Sequence, residues 1–308
     1  MPRRIPLTTA SVWAGLRWRL RPIVDSVDDL FEHYGPERLV LARRFRRVHG
    51  RRIDWRNPTL FNEKIYWIMH HMRSPIMPRL ADKYAVREFV GQRLSPRYLN
   101  ELYGVWTSGD EVDFDALPPT FVLKATHGSG MVLVCRDRDT FDEAAARATM
   151  DRWLRTNYGR AKREWAYQPI RPRLIAEALL DNGGGDLFDY KFFCFGGDPR
   201  LIQFDAQRFS GHRRELFTPD WRRINTYRLI YPPVGRDVPR PDNLAEMLDC
   251  ARRLSRGFVF VRVDLYSVSG RTIFGEVTWY PEGGWGRFEP IDAEHALGAA
   301  LRLPSRTA

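Results

Sequence analysis

The sequence predicts an α+β protein, with helices and antiparallel strands in separate stretches of chain. Three observations carry that prediction. Between Phe258 and Gly286 lie two β-rich runs, 258–266 and 272–279, around a Ser-Gly turn. Residues 121–124 and 131–135 read as short strands joined by a glycine-containing loop, where a βαβ unit would need a helix. Residues 140–158 and 243–256 read as amphipathic helices with recognisable starts.

The 308 residues are 44% hydrophobic, enough for one large or two coupled domains. Lys and Arg outnumber Asp and Glu by 49 to 38, a net charge of +11 that draws anions to the surface. The excess is mostly arginine and is dispersed, with no Lys-rich tail, RNP motif or Cys/His finger, so no nucleic-acid partner is expected. Cys135, Cys194 and Cys250 have neither zinc nor disulfide spacing, which fits a reducing compartment. No apolar run approaches the ~18 residues of a membrane span. The N-terminus opens like a signal peptide, but Arg17, Arg19 and Arg21 interrupt its apolar stretch, so a cytoplasmic protein is expected.

In chain order, helices are expected near 10–20 and over 26–34. The first would place Trp13, Leu16 and Leu20 on one face and Arg17 and Arg21 on another, suited either to an anionic membrane surface or to packing on the main domain. Residues 61–71 form a helix whose His70 and His71, being adjacent, point apart and are expected to be solvated or packed rather than metal ligands. A Pro-marked turn leads into 81–90, where Lys83 is by itself only a first-turn lysine.

The strand ending at Lys124 runs into Ala125-Thr126-His127-Gly128-Ser129-Gly130-Met131. The glycines let backbone N–H groups approach anionic oxygens and Lys124 adds a point charge, while a plain hairpin turn is equally compatible. It is neither a Walker A nor a Rossmann fingerprint. Helix 140–158 is expected to start on a Thr140/Glu143 capping box and to bury Ala145, Met150, Trp153 and Leu154. Residues 159–172 are basic and aromatic, with Arg163, Glu164 and Trp165 as candidates to face a substrate or to lie on plain surface.

Strand 173–180 carries one acid, Glu177. After a glycine turn at 183–185, strand 189–195 carries Lys191, which needs an anionic partner, either a bound ligand or Asp189. The polar stretch 205–214 holds Arg208, His212, Arg213 and Arg214 as candidate contacts to an acidic substrate. In helix 243–256, Asn243 is the expected cap, with Glu246 three residues on. Leu244, Met247, Leu248 and Ala251 form the stripe, Gly257 the stop, and one more helix is expected over 295–303.

Alternation in the C-terminal hairpin puts Phe258, Phe260, Arg262 and Asp264 on one face and Val259, Val261, Val263 and Leu265 on the other. In the returning strand Phe274, Glu276 and Thr278 share a face. A hairpin centred on Gly270 sets Asp264 opposite Glu276 and Arg262 opposite Thr278. Two facing carboxylates repel, so a divalent cation between them, or pairing of one with Arg262 or water, is required. Asp113-x-Asp115 and Asp137-x-Asp139 also have the spacing that holds the metal of a nucleotide-sugar, which keeps a glycosyltransferase open.

Arg262-x-Asp264 followed by Glu276-x-Thr278-x-x-Pro281 and glycines resembles the metal-binding end of the ATP-grasp fold, and more closely its TupA-like branch, associated with teichuronopeptide and cell-surface polysaccharide biosynthesis. Phe61-Asn62-Glu63-Lys64, Asp82-Lys83 and the glycine loop extend the resemblance from about Phe61 to Pro290. It implies two antiparallel-sheet subdomains, 79–175 and 176–308, with ATP between them and a helical extension over 1–78. It also implies an ATP- and Mg²⁺-dependent ligase that joins a carboxylate to an amine through an acyl phosphate. Asp264, Glu276 and Thr278 would hold the metal. Many ATP-grasp ligases have Asn where Thr278 stands, which leaves a second metal position open. Lys83, Lys124, His127, Gly128, Ser129, Gly130 and Lys191 would surround the phosphates, Glu177 would take the adenosine end, and Arg262 would stabilise the acyl phosphate. The implied partners are ATP, an acidic or carboxylate-bearing substrate, an amine acceptor and, peripherally, membrane or glycan-assembly machinery. A phosphotransferase and a non-catalytic nucleotide-binding protein are the nearby alternatives.

Overall fold

A computed structural model describes residues 30–181, 187–206 and 211–304. The helix expected near 10–20, the glycine turn at 183–185 and Arg208 lie outside the described residues. Of the helix expected over 26–34, residues 30–34 are described and are helical.

After the helical residues 30–34 come α1 (Glu37–His49), α2 (Phe61–His71), α3 (Ile76–Ala81) and α4 (Val86–Arg93). Helix α1 stops at Gly50, whose left-handed backbone (φ 69°) lets its N–H bond back to the Arg46 carbonyl. Helix α2 starts where the Glu63 carboxylate accepts from the N–H groups of Thr59 and Leu60. His70 pairs with Glu37 and His71 stacks on Trp67, so both histidines are packed.

The smaller sheet contains β1 (Leu102–Trp106), β2 (Phe121–Ala125), β3 (Val132–Cys135) and β4 (Leu174–Ala178), in the order β1-β4-β2-β3. Helix α5 (Glu143–Leu154) closes its core through Ala146 and Met150. Two expectations fail here. The cap is Asp142, whose Oδ1 accepts from Ala145 N at 2.9 Å, because the Thr140 hydroxyl is already bonded to the Asp137 carbonyl. The buried position is therefore Ala146 and not Ala145, and the helix ends at Leu154 before a separate turn, α6 (Tyr158–Lys162), capped by Asn157.

The larger sheet takes β5 (Asp189–Phe195), β6 (Asp198–Ala206) and β7 (Arg213–Phe217), then, beyond the short β8 (Arg228–Leu229), β9 (Phe260–Val268) and β10 (Arg271–Thr278). All neighbours are antiparallel, in the order β10-β9-β5-β6-β7. Helix α7 (Leu244–Ser255) covers one face with its predicted stripe of Leu244, Met247, Leu248 and Ala251. Asn243 does not cap it. Its amide donates to Thr272 Oγ1 and accepts from Ser267 Oγ, both at 2.9 Å, and so ties the helix start to the C-terminal hairpin. Beyond the hairpin, β11 (Phe288–Glu289) pairs with β8, and the last helix, α8 (Ile291–Ala300), begins four residues before the expected 295.

The other face of the large sheet is divided. At one end Phe193, Phe195 and Phe260 pack against Phe61 of α2, with ring centroids 5.3–6.0 Å apart. At the other end the same face carries Asp189, Lys191, Gln203, Asp205, Arg214, Arg262, Asp264, Glu276 and Thr278. Two cavities open over this charged half.

Candidate active site

The hairpin register is the predicted one where it matters: Asp264 stands opposite Glu276 and Arg262 opposite Thr278. Nearer the turn, Arg271 pairs with Val268 and Phe274 with Leu265, one residue out of step, and a β-bulge at Gly275 absorbs the difference. Phe274 consequently belongs to the apolar face with Leu265, and not to the face of Glu276 and Thr278 as alternation predicted. A side chain at Gly275 would stand 3.0 Å from the Asp264 carbonyl oxygen, which is why the bulge takes glycine.

Arg262 occupies the space between the two carboxylates. Its Nε and Nη2 donate to Asp264 Oδ1 and Oδ2, both at 2.7 Å, and Nη2 reaches Glu276 Oε1 at 3.5 Å. Lys191 donates to Asp264 Oδ2 at 3.1 Å and stands 3.6 Å from Asp189 and 4.0 Å from Asp205. Asp264 is 2% exposed. Burial alone would raise its pKa, but Arg262 and Lys191 outweigh burial and hold it below the ordinary carboxylate range. Burial would likewise depress Lys191, and Asp264 and Asp189 outweigh it in the opposite direction. Glu276 is different: its side chain is 36% exposed, faces both cavities and accepts from the Thr278 hydroxyl at 3.1 Å.

The first cavity, about 380 Å³, lies between the sheets and is lined by Lys83, Lys124, Ser129, Gly130, Val132 and Val134 as well as the hairpin carboxylates. Lys83 is placed by two bonds to the glycine loop, from its N–H to the Thr126 carbonyl and from Nζ to the Gly128 carbonyl. Burial lowers its pKa, partly offset by Glu276. Asp82 accepts from the N–H groups of Tyr84 and Ala85 and pairs with Arg173 at 2.6 Å, which fixes the turn that presents Lys83. Lys124 Nζ lies 2.7 Å from Glu177 Oε2, and Arg87 holds Glu177 Oε1 at 2.9 Å.

The second cavity, about 560 Å³, is bounded by aromatic side chains (Tyr158, Tyr167, Tyr231, Tyr280 and Trp285) and by charged ones. Arg214 clamps Asp205 through Nε at 2.6 Å and Nη2 at 3.0 Å and reaches Glu282 at 3.0 Å. His212 stacks on Tyr231 with centroids 3.7 Å apart. The two cavities meet at Ser129, Lys191 and Glu276, and Arg262 borders the second at that junction.

A family model described as TupA-like ATPgrasp matches residues 63–302. The chain belongs to the TupA-like ATP-grasp family. Among solved structures, it is similar to a D-alanine–D-alanine ligase from Bacillus anthracis complexed with ATP, at 16% identity and TM-score 0.36, over 65% of this chain and 53% of that one. An L-amino acid ligase from Bacillus licheniformis gives 13% identity and TM-score 0.41, over 82% and 55%. The ATP-grasp ligase PsnB, complexed with a phosphomimetic precursor variant, Mg and ADP, gives 14% and 0.41, over 89% and 73%. The chain spans 53% and 61% of the length of the first two solved structures it matches. No curated protein matches it.

Of the site residues expected for an ATP-grasp protein, the structure gathers Lys83, Lys124, Ser129, Gly130, Glu177, Lys191, Asp264 and Glu276 around the first cavity. Arg262, Thr278 and His212 line the second. Gly128 is packed behind the loop, where an added Cβ would stand 3.0 Å from the Tyr158 ring. His127 turns away: it is 3% exposed and its Nε2 bonds the Trp153 carbonyl, so it braces the loop against α5. Arg163 also turns away, donating twice to the Glu32 carbonyl. On β7 the residue in the cavity is Arg214, while Arg213 is exposed on the opposite side. Asp113 and Asp137 each cap a local turn, and neither Asp-x-Asp pair lines either cavity.

Magnesium fits this donor set. Glu276 opens on both cavities with the Thr278 hydroxyl beside it, and Asp264, held by Arg262 and Lys191, would complete the protein's share of a shell that phosphate oxygens and water fill. Among the described residues no group of three or more His, Cys, Asp or Glu could hold a metal alone.

Proposed function

We propose that this protein is an ATP- and Mg²⁺-dependent ligase that joins a carboxylate to an amine through an acyl phosphate. The observation that carries the reading is the junction of the two cavities at Ser129, Lys191 and Glu276, with Arg262 beside it. A nucleotide in the first cavity and a carboxylate in the second would meet there.

In this scheme Lys83, Lys124 and the loop around Ser129 and Gly130 bind the phosphates, and Val132 and Val134 offer apolar surface to the base. Glu177, already held by Lys124 and Arg87, orients Lys124 and leaves the adenosine end to the backbone that follows β4. Asp264, Glu276 and Thr278 would hold Mg²⁺, which supplies charge neutralisation at the β- and γ-phosphates. Lys191 keeps Asp264 ionised. The substrate carboxylate oxygen attacks the γ-phosphorus, the bond to the β-phosphate oxygen breaks, and ADP leaves. Arg262 stabilises the charge on the resulting acyl phosphate. The amine then attacks the acyl carbon, the C–O bond breaks, and phosphate leaves with one proton from nitrogen. The aromatic and charged walls of the second cavity suit an acceptor with both polar and ring surfaces. The family supports a cell-surface polysaccharide, or its peptide or amino-acid decoration, as the material modified.

The test is calorimetric titration with a non-hydrolysable ATP analogue. The wild type should bind it with Mg²⁺, and Glu276→Gln should lose affinity on the order of tenfold or more, about 1.4 kcal/mol. Mg²⁺ without nucleotide should give no heat. Failure of the wild type to bind the analogue would sink the reading.

A further inference from the structure

Among the acids that line the second cavity, Asp205 and Glu282 are paired with Arg214 and Glu276 with Arg262, and one has no paired cation. Glu164 follows α6, its N–H bonded to the Gly159 carbonyl and its carbonyl to the Tyr167 N–H, and its side chain lines the cavity while only 6% exposed. Among the described residues its carboxylate has neither a hydrogen bond nor an ion pair. A buried carboxylate in that condition is costly unless a ligand completes it.

One further polar group on the same turn is also incomplete. The hydroxyl of Tyr66 is buried with no hydrogen-bond partner, and that of Tyr280 is buried beside the Ala166 backbone. All three residues border one turn, Pro281–Gly284, which follows Tyr280. A Cβ on Gly283 would stand 3.2 Å from Glu164 Oε1, and one on Gly284 would stand 2.5 Å from the Tyr66 ring. Glu282, Gly283 and Gly284 all have positive φ (51°, 58° and 74°), so the turn brings bare backbone against both side chains. The Glu164 carboxylate, once ionised, is an acceptor-only group on the wall of the second cavity. An ammonium group, with three donors and a positive charge, is its complement.

We infer that Glu164 docks the primary amine of the acceptor, which enters as an ammonium ion and passes one proton to Glu164 before it attacks. This rests on the ligase reading. The proton leaves nitrogen for the Glu164 carboxylate, the freed lone pair forms the C–N bond, and the acyl C–O bond breaks with its electrons leaving on phosphate. The second nitrogen proton goes to that phosphate, and Glu164 returns its own to solvent before the next turnover. The surroundings suit the transfer. Burial pushes Glu164 up to about 8, Lys162 and Arg44 pull it back, and Glu276 adds to the rise; the remaining neighbours that face it are the phenols of Tyr66, Tyr158, Tyr167 and Tyr280. An alkylammonium of pKa ~10.4 is then within reach of its base.

The experiment uses the full chain with ¹³C in the glutamate side-chain carboxyls and methylammonium chloride as the probe, against sodium chloride at equal ionic strength. The Glu164 resonance is the one missing in Glu164→Gln. At ten times its dissociation constant, methylammonium should lower the titration midpoint by about one pH unit, since it binds the ionised form alone. A midpoint that methylammonium leaves in place, or that sodium moves equally, overturns the inference. Glu164→Gln should still bind the Mg²⁺–nucleotide analogue. Loss of nucleotide binding in the wild type would instead refute the ligase reading, so the two failures are separable.

Discussion

The buried Glu164 should make the protein less stable as the pH rises, and Glu164→Gln should remove that dependence. In the unfolded chain this carboxyl titrates at its ordinary 4.5, whereas in the folded protein burial moves it to about 8. Below the lower value both states hold the proton and the group contributes nothing. Between the two values the unfolded chain releases its proton while the native state keeps it, so native stability falls as pH rises. The slope is about 1.4 kcal/mol per pH unit, which gives roughly 3 kcal/mol at pH 7 and roughly 5 kcal/mol above pH 8. Glutamine matches the protonated acid in shape and has no proton to lose. Urea unfolding of both ligand-free proteins at intervals from pH 5 to 9 isolates the group, because every other titration cancels in the difference. The two should be about equally stable at pH 5, with the variant ahead by several kcal/mol at pH 9. A difference that stays flat across the range, or that favours the wild type at high pH, would mean that Glu164 is ionised and paired in the folded protein.

Two other perturbations test the site's construction. Asp264→Asn removes the acceptor that Arg262 and Lys191 share, stranding two buried cations, and should cost about 3–5 kcal/mol; Glu276→Gln, at a half-open position, should cost less than about 1 kcal/mol. Equal losses for the two in urea unfolding would show that the Arg262–Lys191–Asp264 network is not the buried element described. Gly284→Ala places a methyl 2.5 Å from the Tyr66 ring at a φ of 74°, and should destabilise by about 2–3 kcal/mol. Gly130→Ala has a similar φ of 76° but open space, and should cost about 1 kcal/mol. A Gly284→Ala variant no worse than Gly130→Ala would overturn the close approach of that turn to Tyr66.

The C-terminal hairpin was legible because period-2 alternation and one Gly turn are local properties. Even there, the agreement at Asp264 and Glu276 depends on the bulge at Gly275, which alternation cannot reveal and which moved Phe274 to the opposite face. Caps were misread where a nearer competitor existed. Asp142 displaces Thr140, and Asn243 is taken up by Thr272 and Ser267 from a hairpin more than twenty residues away. His127 looked like part of a phosphate loop because its neighbours are, but its orientation is set by Trp153 on another element. The second cavity was the least legible feature. Its walls come from α6, β7, the segment after β8 and the turn after β10, so no single spacing contains it. Arg214 was within reach of sequence reasoning: alternation along β7 separates it from Arg213, and an acid at Asp205 offers it a partner. Glu164 was visible as a candidate beside Arg163, but its burial depends on the turn at Pro281–Gly284, which arrives from the far end of the chain.

The charge balance at the junction bears on how metal and nucleotide would bind. On the charged half of the large sheet, Asp189, Asp205, Asp264 and Glu276 face Lys191, Arg214 and Arg262, so the ligand-free face is close to neutral, with every buried carboxylate there already near a cation. A divalent cation arriving alone would enter a site where Arg262 and Lys191 already satisfy Asp264, and would have only Glu276 with spare capacity. Nucleotide arriving alone would bring its phosphates to Lys83 and Lys124 but would also set them against Glu276. Together, the cation and the phosphates cancel most of each other's charge and leave Arg262 free to turn part of its guanidinium toward the transferring group. Under the ligase reading, the buried pairing of Arg262 with Asp264 would therefore favour joint entry of Mg²⁺ and ATP over stepwise entry. It also explains why Asp264 and not Glu276 is the carboxylate enclosed by the fold. The enclosed one fixes the arginine, and the open one is left to meet the ligand.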